Sequence, residues 1–288
     1  MNRRTKRRAI VFGAQGTLGS ALVQGLPERG YDLTATPGRL DCDVTDPKAV
    51  LSVLSRAAPD VIFNAAAYTD VDRAETEPET SYAANALAPE ILARAARDAD
   101  ASLVHYSTDF VFDGELERPY DEFDAPSPQG LYARSKLAGE RLAQAAWPRV
   151  FILRVGCLYG RGGKNFPSTI LRRLRSGETV RADGGRLGSP TWVRDVVTTS
   201  AALAATNEFG LYHCTSEGET TWSGYARLLA AELGLPQDRV EEVSTAALKM
   251  KAPRPRRAIL HNRMLALRGL SPMPRWQDAA RAFLAAEG

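Results

Sequence analysis

The sequence predicts a doubly wound α/β fold with a smaller lobe at its C-terminal end, and three observations predict it. Short apolar runs alternate with amphipathic stretches of helical length. The first of these runs empties into a glycine loop that opens a helix. From Gly156 onward the alternation loosens into glycine-bearing loops around shorter elements. Regular alternation means parallel strands covered on both faces, because each strand must cross back to the same end of the sheet before the next one starts.

The elements follow in order. Arg8 to Ala14 is a buried strand ending in glycine, and Thr17 to about Arg29 is the helix it feeds. Further strands are expected at Tyr31 to Ala35, Val61 to Asn64, Ser102 to Ser107, Val150 to Val155 and Gly210 to His213. Helices separate them at Asp46 to Ala58, Pro78 to Asp98, Leu131 to Ala146 and Arg194 to Ala205, with Asp46 before Pro47 as an N-cap. The loops Gly160-Arg-Gly-Gly163, Asp183-Gly-Gly185 and Gly188-Ser-Pro190 belong to the lobe. The expected division is a basic tail over 1–8, the main sheet over 9–155 with 194–213 returning to it, and the lobe over 156–193 and 214–288.

Composition narrows the function classes. The 288 residues are 44% hydrophobic and 25% charged, ordinary for a globular protein with a sizeable core. The net charge is +3, but Arg3, Arg4, Lys6, Arg7 and Arg8 supply five of the positive charges, and without them the sum is −2. A nearly neutral body argues against nucleic-acid binding. Neither a secretory h-region nor a stretch of ~18 apolar residues is present, so the expectation is a cytoplasmic protein with no membrane contact. Cys42, Cys157 and Cys214 lie far apart, and His105, His213 and His261 show no ligand spacing, which leaves disulfides and a metal site without support.

The chemistry begins at Gly13-Ala-Gln-Gly-Thr-Leu-Gly19. Glycines let the backbone turn sharply and approach a pyrophosphate, whose charge the free N–H groups of a helix N-terminus accept. Gly13, Gln15, Gly16, Thr17, Leu18 and Gly19 are therefore the expected phosphate loop of a dinucleotide. No acid follows the second strand before Asp41, whereas Arg39 is placed either to meet a 2′-phosphate, favouring NADPH over NADH, or simply as a surface turn residue. Asp43 and Val44 are placed for the adenine. The small residues Ala65, Ala66 and Ala67 suit either a ribose and pyrophosphate crossing the third strand's end or tight packing.

Tyr132 and Lys136 are one helical turn apart, so their polar tips share a face. In isolation such a pair reads more readily as a solvated face with snorkelling side chains. The fourth strand, however, delivers Ser107-Thr-Asp109 to the same sheet edge, and ligands of open α/β sheets bind beyond the carboxyl ends of the strands. A glycine loop, a strand-end Thr108 and a Tyr-x-x-x-Lys helix in this order form the Ser/Thr, Tyr and Lys set of short-chain dehydrogenases.

The strings Asn64-Ala-Ala-Ala-Tyr-Thr-Asp-Val-Asp-Arg-Ala-Glu75, Asn85-Ala-Leu-Ala-Pro89, Ser107-Thr-Asp-Phe-Val-Phe-Asp-Gly114, Gly163-Lys-Asn-Phe166 and Gly188-Ser-Pro-Thr191, spread over about residues 8 to 230, resemble the dTDP-4-dehydrorhamnose reductase family. The resemblance implies a Rossmann-like sheet with a substrate-binding lobe, and NAD(P)H-dependent reduction of the 4-keto group of a dTDP-linked 6-deoxysugar. A ketone accepting hydride gathers charge on oxygen and needs an aimed proton donor. Tyr132 is the expected acid and Thr108 the hydrogen bond to that oxygen. Lys136 is expected to lower the phenol's pKa and hold the nicotinamide ribose.

For the sugar nucleotide the resemblance implies Thr108, Asp109, Val111, Phe112, Cys157, Asn165, Phe166 and Arg186, with Lys164 beside them. Trp192 and Trp222 read as core before base-stacking platforms. Asp70, Asp72 and Glu75 read as solvated acids near a helix start. Family members dimerise in some cases, sometimes around Mg²⁺, so both monomer and homodimer stand open; no acidic ligand set supports the ion.

Three departures touch the substrate lobe. Cys157 stands where the family carries a tryptophan, Gly185-Arg186 replaces Asp-Gln, and Ala258 and His261 replace Ser and Asp. The leading expectation is dTDP-4-dehydrorhamnose. Two alternatives are a reductase of another nucleotide-linked ketosugar from an antibiotic or surface-glycan pathway, and a noncatalytic regulatory subunit resembling the β subunit of methionine adenosyltransferase.

Overall fold

A computed structural model describes residues 6–161 and 165–287. The main unit alternates β1 (Arg7–Phe12), α1 (Thr17–Gly25), β2 (Tyr31–Ala35), α2 (Pro47–Ala57), β3 (Val61–Asn64), α3 (Val71–Ala74), α4 (Pro78–Tyr82), α5 (Ala88–Asp98), β4 (Ser102–Thr108), α6 (Leu131–Ala146) and β5 (Val150–Val155). Then come β6 (Leu158–Tyr159), α7 (Phe166–Arg175), β7 (Val180–Asp183), β8 (Leu187–Gly188), β9 (Thr191–Trp192), α8 (Val193–Ala204) and β10 (Gly210–His213). The chain closes with β11 (Thr220–Thr221), α9 (Trp222–Glu232), β12 (Val240–Val243), α10 (Arg263–Leu267) and α11 (Trp276–Glu287).

Six strands form one parallel sheet in the order β10-β5-β4-β3-β1-β2. Every residue of β3, β4 and β5 is buried, as central strands covered on both faces require. One apolar cluster, holding Ile10, Ile62, Leu103 and Ile152, packs under α2 and α5. The opposite cluster holds Val11, Phe63, Val104 and Leu153 against Leu22 of α1 and Val197 of α8, and it runs without a break into Tyr159, Tyr225, Trp276 and Phe283. The lobe, with its parallel β7–β12 pair, therefore shares the main core.

The expected elements are present, with local corrections. The first strand begins at Arg7, so Arg7 and Arg8 are not tail: the Arg7 guanidinium donates to the Ala204 carbonyl, and the Arg8 backbone N–H donates to Asp60 at 2.7 Å. The first helix stops at Gly25, and a 3₁₀ turn over Pro27–Arg29 replaces its last part because Pro27 lacks the N–H that would continue it. The long helix expected at 78–98 is interrupted by a π-helical turn at Ala83–Leu87.

The chain passes from the sheet's centre to one edge through β2 and then returns to pair β3 on the other flank of β1. This switch point opens a crevice at the carboxyl ends of β1 and β3. Gly13 lies on its floor with φ +74°, and a Cβ there would stand 2.5 Å from the Ala66 nitrogen. No residue with a side chain fits that contact.

A buried ion pair locks α6 onto the sheet. Arg154 of β5 holds Glu140 of α6 in a fork, Nε to Oε1 at 3.0 Å and Nη2 to Oε2 at 2.8 Å, and the Ser107 hydroxyl also donates to Oε1. Their side chains are 3% and 4% exposed, so neither charge has water to fall back on. Glu140→Ala should cost ~3–5 kcal/mol, because it strands a buried guanidinium. Urea unfolding should show a lowered midpoint at constant slope, partly restored by adding Arg154→Met; an unchanged midpoint in the single variant would contradict the account.

Candidate active site

The site is built on α6. Its first residue has an intermediate capping arrangement: Gly130 at the N-cap has no side chain to offer, and Glu75 reaches across so that its Oε1 accepts from the Leu131 N–H at 2.8 Å. Glu75 is thus a cap and not the solvated acid expected. The π-turn residue Asn85 accepts from the Tyr68 N–H at 2.9 Å and donates to Ser135 at 3.1 Å, pressing against α6 where Gly139 leaves room. A Cβ at Gly139 would lie 2.0 Å from the Asn85 carbonyl oxygen.

Held in this way, α6 presents Tyr132 and Lys136 to the end of β4. Lys136 is 2% exposed, and its ammonium donates to the Tyr106 carbonyl at 2.6 Å. Burial lowers its pKa to about 8, against a small opposing pull from Glu140. Behind it, burial together with the Lys136 charge holds His105 neutral, and His105 Nδ1 lies 3.0 Å from Asn64 Nδ2. Asn64 Oδ1 in turn accepts from the Ala66 N–H at 3.1 Å and shapes the Ala65–Ala67 stretch.

Tyr132 departs from expectation in its electrostatics. Burial pushes the phenol up to about 12, the Asp109 charge adds to the rise, and a hydrogen bond with Thr108 opposes it. The Lys136 ammonium is directed to the Tyr106 carbonyl. At neutral pH the phenol therefore carries its proton.

Two cavities open at these strand ends. The first, of 440 Å³, is lined by Gly13, Gln15, Gly16, Arg39, Asp43, Val44, Ala65, Ala66 and Ala67, all expected for the dinucleotide. Gly38, Cys42, Thr45, Tyr68, Thr80, Ala83 and Ala84 complete it; the last three sit on α4 and the π-turn, which sequence periodicity reads as plain helix. Leu18 and Gly19 are buried behind the loop: a Cβ at Gly19 would meet the Gly13 carbonyl oxygen at 2.0 Å. Thr17 starts α1, and Gly16 at its N-cap has no side chain to offer. The helix N-terminus, the glycine floor and Arg39 at the rim fit a dinucleotide with its phosphates on the loop. Asp43 is partly committed, since its Oδ1 accepts from Thr45 N at 2.9 Å and Thr45 Oγ1 at 2.7 Å, bonds that hold its pKa low.

The second cavity, of 220 Å³, is lined by Asp109, Phe110, Cys157, Arg186, Trp222 and Arg254 among others. Phe110 meets Tyr132 edge-on at 6.1 Å, which joins this cavity to the α6 pair. Arg186 Nε donates to the buried Asp183 at 2.6 Å, and Arg254 donates to Asp72 at 2.8 Å. Asp72 also accepts from the Lys251 and Ala252 N–H groups, and these donors hold its carboxyl at about 2, so it is a fixed anchor and not the solvated acid expected. Cys157 sits in the left-handed region at φ +50°, and burial pushes its thiol up.

Several expected substrate contacts are not brought to the cavity. A 3₁₀ turn after Thr108 directs Val111 and Phe112 inward, where they are fully buried with Tyr120, Leu137 and Leu260. Phe112 stacks on Tyr120 at 4.2 Å, with the Arg154 guanidinium 5.1 Å over its ring. Asn165 caps α7, accepting from Ser168 N at 2.9 Å and donating to the Gly160 carbonyl at 3.0 Å. Phe166 is exposed and lies edge-on to Trp222 at 5.4 Å. Trp192 is core, as expected. Lys164 lies outside the described residues. Phe110 and Arg254 are the additions; an arginine followed by proline before a buried run was the one local signal for the latter.

The chain matches the family model described as the RmlD substrate binding domain over residues 7–287. The dTDP-4-dehydrorhamnose reductase of Mycobacterium tuberculosis strain H37Rv is 40% identical over 286 residues, covering 97% of this chain and 93% of its own. A Streptomyces antibioticus protein described as a probable dTDP-4,6-dihydroxy-2-methyloxan-3-one 4-ketoreductase is 36% identical over 276 residues, covering 95% and 93%. Among solved structures, a Bacillus anthracis dTDP-4-dehydrorhamnose reductase in complex with NADP superposes with a TM-score of 0.94 at 34% identity, covering 98% of this chain and 99% of that one.

The buried ammonium gives a signed prediction. Folded Lys136 titrates near 8 and an unfolded lysine near 10.5, so below pH 8 both states carry the proton and the fold bears the whole desolvation cost. Between about 8 and 10.5 the unfolded state binds more protons, and stability rises with pH. Lys136→Met should therefore stabilise the ligand-free protein at pH 7 by ~1–3 kcal/mol and remove that slope in thermal unfolding. A variant that melts lower, or keeps the slope, would contradict the assignment.

Proposed function

The chain belongs to the dTDP-4-dehydrorhamnose reductase family, and from that premise we propose that it reduces the 4-keto group of dTDP-4-dehydrorhamnose with NADPH. The observation that carries this reading is the hydrogen bond between Tyr132 and Thr108, one helical turn from the buried ammonium of Lys136, at the sheet edge where a glycine-floored cavity and an arginine-lined one open. A regulatory subunit that only binds a dinucleotide has no use for a protonated phenol beside a strand-end hydroxyl.

Bound NADPH supplies the hydride. Gly13, Gln15 and Gly16 would hold its pyrophosphate, Ala65 to Ala67 its ribose, and Arg39 its 2′-phosphate, which makes NADPH the preferred form over NADH. Lys136 would hold the nicotinamide ribose by exchanging its bond to the Tyr106 carbonyl. Tyr132 gives its proton to the ketone oxygen while Thr108 holds that oxygen by a hydrogen bond, so that charge is neutralised as it forms. Arg186 and Arg254, anchored by Asp183 and Asp72, line the cavity and suit the substrate's diphosphate. Trp222, which lines the cavity, offers the base an aromatic edge.

Cys157 favours a second reading within the same chemistry, a related dTDP-ketosugar. A thiol at the cavity wall leaves more room beside the sugar than a large ring would, and the Streptomyces antibioticus relative is described as a probable 4-ketoreductase of a different sugar. The reaction belongs to the cytoplasm, where NADPH is available; among the described residues no helix is long and apolar enough to cross a membrane.

Incubation with NADPH and a panel of dTDP-4-keto sugars should consume nicotinamide absorbance with dTDP-4-dehydrorhamnose first. Consumption with a different sugar alone would move the assignment to the second reading, and silence with all of them would overturn both. Tyr132→Phe should lower kcat by ~10²–10⁴-fold with NADPH affinity held, and retained turnover would remove Tyr132 from the acid role. Arg39→Ala should weaken NADPH by about tenfold and leave NADH unchanged; equal weakening of both would place Arg39 away from the 2′-phosphate.

A further inference from the structure

One wall of the arginine-lined cavity is a strap, residues 251–260, whose backbone has few donors to hold it in place. Pro253 and Pro255 carry no N–H, so between 251 and 255 only Lys251, Ala252 and Arg254 have one. Two of those go to a single atom: Asp72 Oδ1 accepts from the Lys251 N–H at 3.1 Å and from the Ala252 N–H at 2.9 Å. The same oxygen accepts from Arg254 Nη1 at 2.8 Å. Arg254, Pro255 and Ala258 then line the cavity, and on the lobe side the Leu187 N–H donates to the Arg256 carbonyl at 2.9 Å.

We propose that Asp72 is a positioning residue for the substrate, which aims the Arg254 guanidinium at the diphosphate of the dTDP-sugar. The inference rests on the reading of Arg254 as a diphosphate ligand. Nη1 is the committed nitrogen of Arg254, since it also donates to the Ala252 carbonyl at 3.1 Å, and among the described residues Nε and Nη2 have no partner. Those two nitrogens present the parallel N–H pair that a phosphate accepts as a fork. A proline after Ala252 and another after Arg254 stiffen the backbone, so the freedom that remains lies in the long side chain. Asp72 takes that freedom away before the ligand arrives, and binding no longer bears the cost of ordering the arginine.

The two arginines of the cavity differ in what they are tied to. Arg186 is held by Asp183, three residues away in the same lobe, so it moves with the lobe. Arg254 is tied instead to α3, which follows the Ala65–Ala67 floor of the dinucleotide cavity in the chain. A phosphate resting on Arg254 is thereby located relative to the cofactor and not only to the lobe. A carboxylate beside the guanidinium also cancels part of its pull on an anion. The Asp72 side chain is 36% exposed and that of Arg254 15%, so water screens much of this loss and the aim outweighs it.

Titration calorimetry of dTDP into the NADP⁺-loaded protein is the test, with melting temperature and NADP⁺ affinity checked first in every variant. Asp72→Ala should weaken dTDP about tenfold and Arg254→Ala about thirtyfold, with NADP⁺ affinity held within about twofold. Asp72→Asn, which keeps an oxygen where Oδ1 stands and drops the charge, should stay within about threefold of the unchanged protein. Because Asp72 acts through Arg254, the double variant Asp72→Ala/Arg254→Ala should bind dTDP within about twofold of Arg254→Ala. Affinity unchanged or raised in Asp72→Ala, Asp72→Asn as weak as Asp72→Ala, or full additivity in the double variant would overturn the proposal, the last by leaving Asp72 a structural part of the strap. A crystal structure of the unchanged protein with NADP⁺ and dTDP puts the same question without a substitution. Arg254 should meet a phosphate through Nε and Nη2 with Nη1 still on Asp72; a guanidinium that leaves Asp72, or touches no phosphate, overturns the proposal. If the unchanged protein binds no dTDP, it is the dTDP-sugar reading that fails, and this inference with it.

Discussion

The arrangement of the site turns on one buried charge, the ammonium of Lys136. An amine at 2% exposure is expensive to keep protonated, and the protein meets the expense with one short bond to the Tyr106 carbonyl. Such a group cannot tolerate a helix that wanders. The surroundings of α6 answer that need: Arg154 grips Glu140 one turn further on, Glu75 closes the helix start, and Asn85 presses into the space Gly139 leaves. Each is a polar or close-packed contact from a different part of the chain, and together they fix where Tyr132 points.

The second constraint is topological. Because the chain reverses direction across the sheet between β1 and β3, their carboxyl ends part and leave a floor of bare backbone at Gly13 and Ala65 to Ala67. β4 ends one strand further along, so Thr108 and Asp109 come up beside that floor with the lobe above them. The lobe brings Arg186 and Arg254 from distant segments, each already bonded to a carboxylate that sets its direction. Cofactor side and substrate side thus meet at a phenol that holds its proton until a ketone oxygen asks for it.

Much of this was legible in the sequence, for identifiable reasons. Central strands buried on both faces are continuous apolar runs, and Val61 to Asn64 and Val150 to Val155 fall at the same residues in the structure. Tyr132 and Lys136 share a face by helical period alone, and the glycine loop is local chemistry. What was not legible depends on pairs far apart in the chain. Asp72 and Glu75 looked solvated because Lys251 to Arg254 and Leu131 are distant in sequence. Val111 and Phe112 share a string with Thr108, yet a 3₁₀ turn sends them into the core, while the neighbouring Phe110 faces the cavity. Asn165 carries the signature of an N-cap before Pro167 as clearly as that of a ligand, and the cap is what forms. The direction of the Tyr132 shift was hidden for the same reason, since it is decided by burial among segments distant in sequence.

The central claim is that one ketone receives a hydride from NADPH at its carbon and a proton from Tyr132 at its oxygen. It is tested most directly by following the label from NADPH carrying two deuteriums at nicotinamide C4 into dTDP-4-dehydrorhamnose by mass spectrometry and proton NMR. The account predicts a product one mass unit heavier, with deuterium on C4 of the sugar and none in its ring substituents elsewhere. NADPH consumed with no deuterium in the sugar, or a sugar returned unreduced, would contradict it.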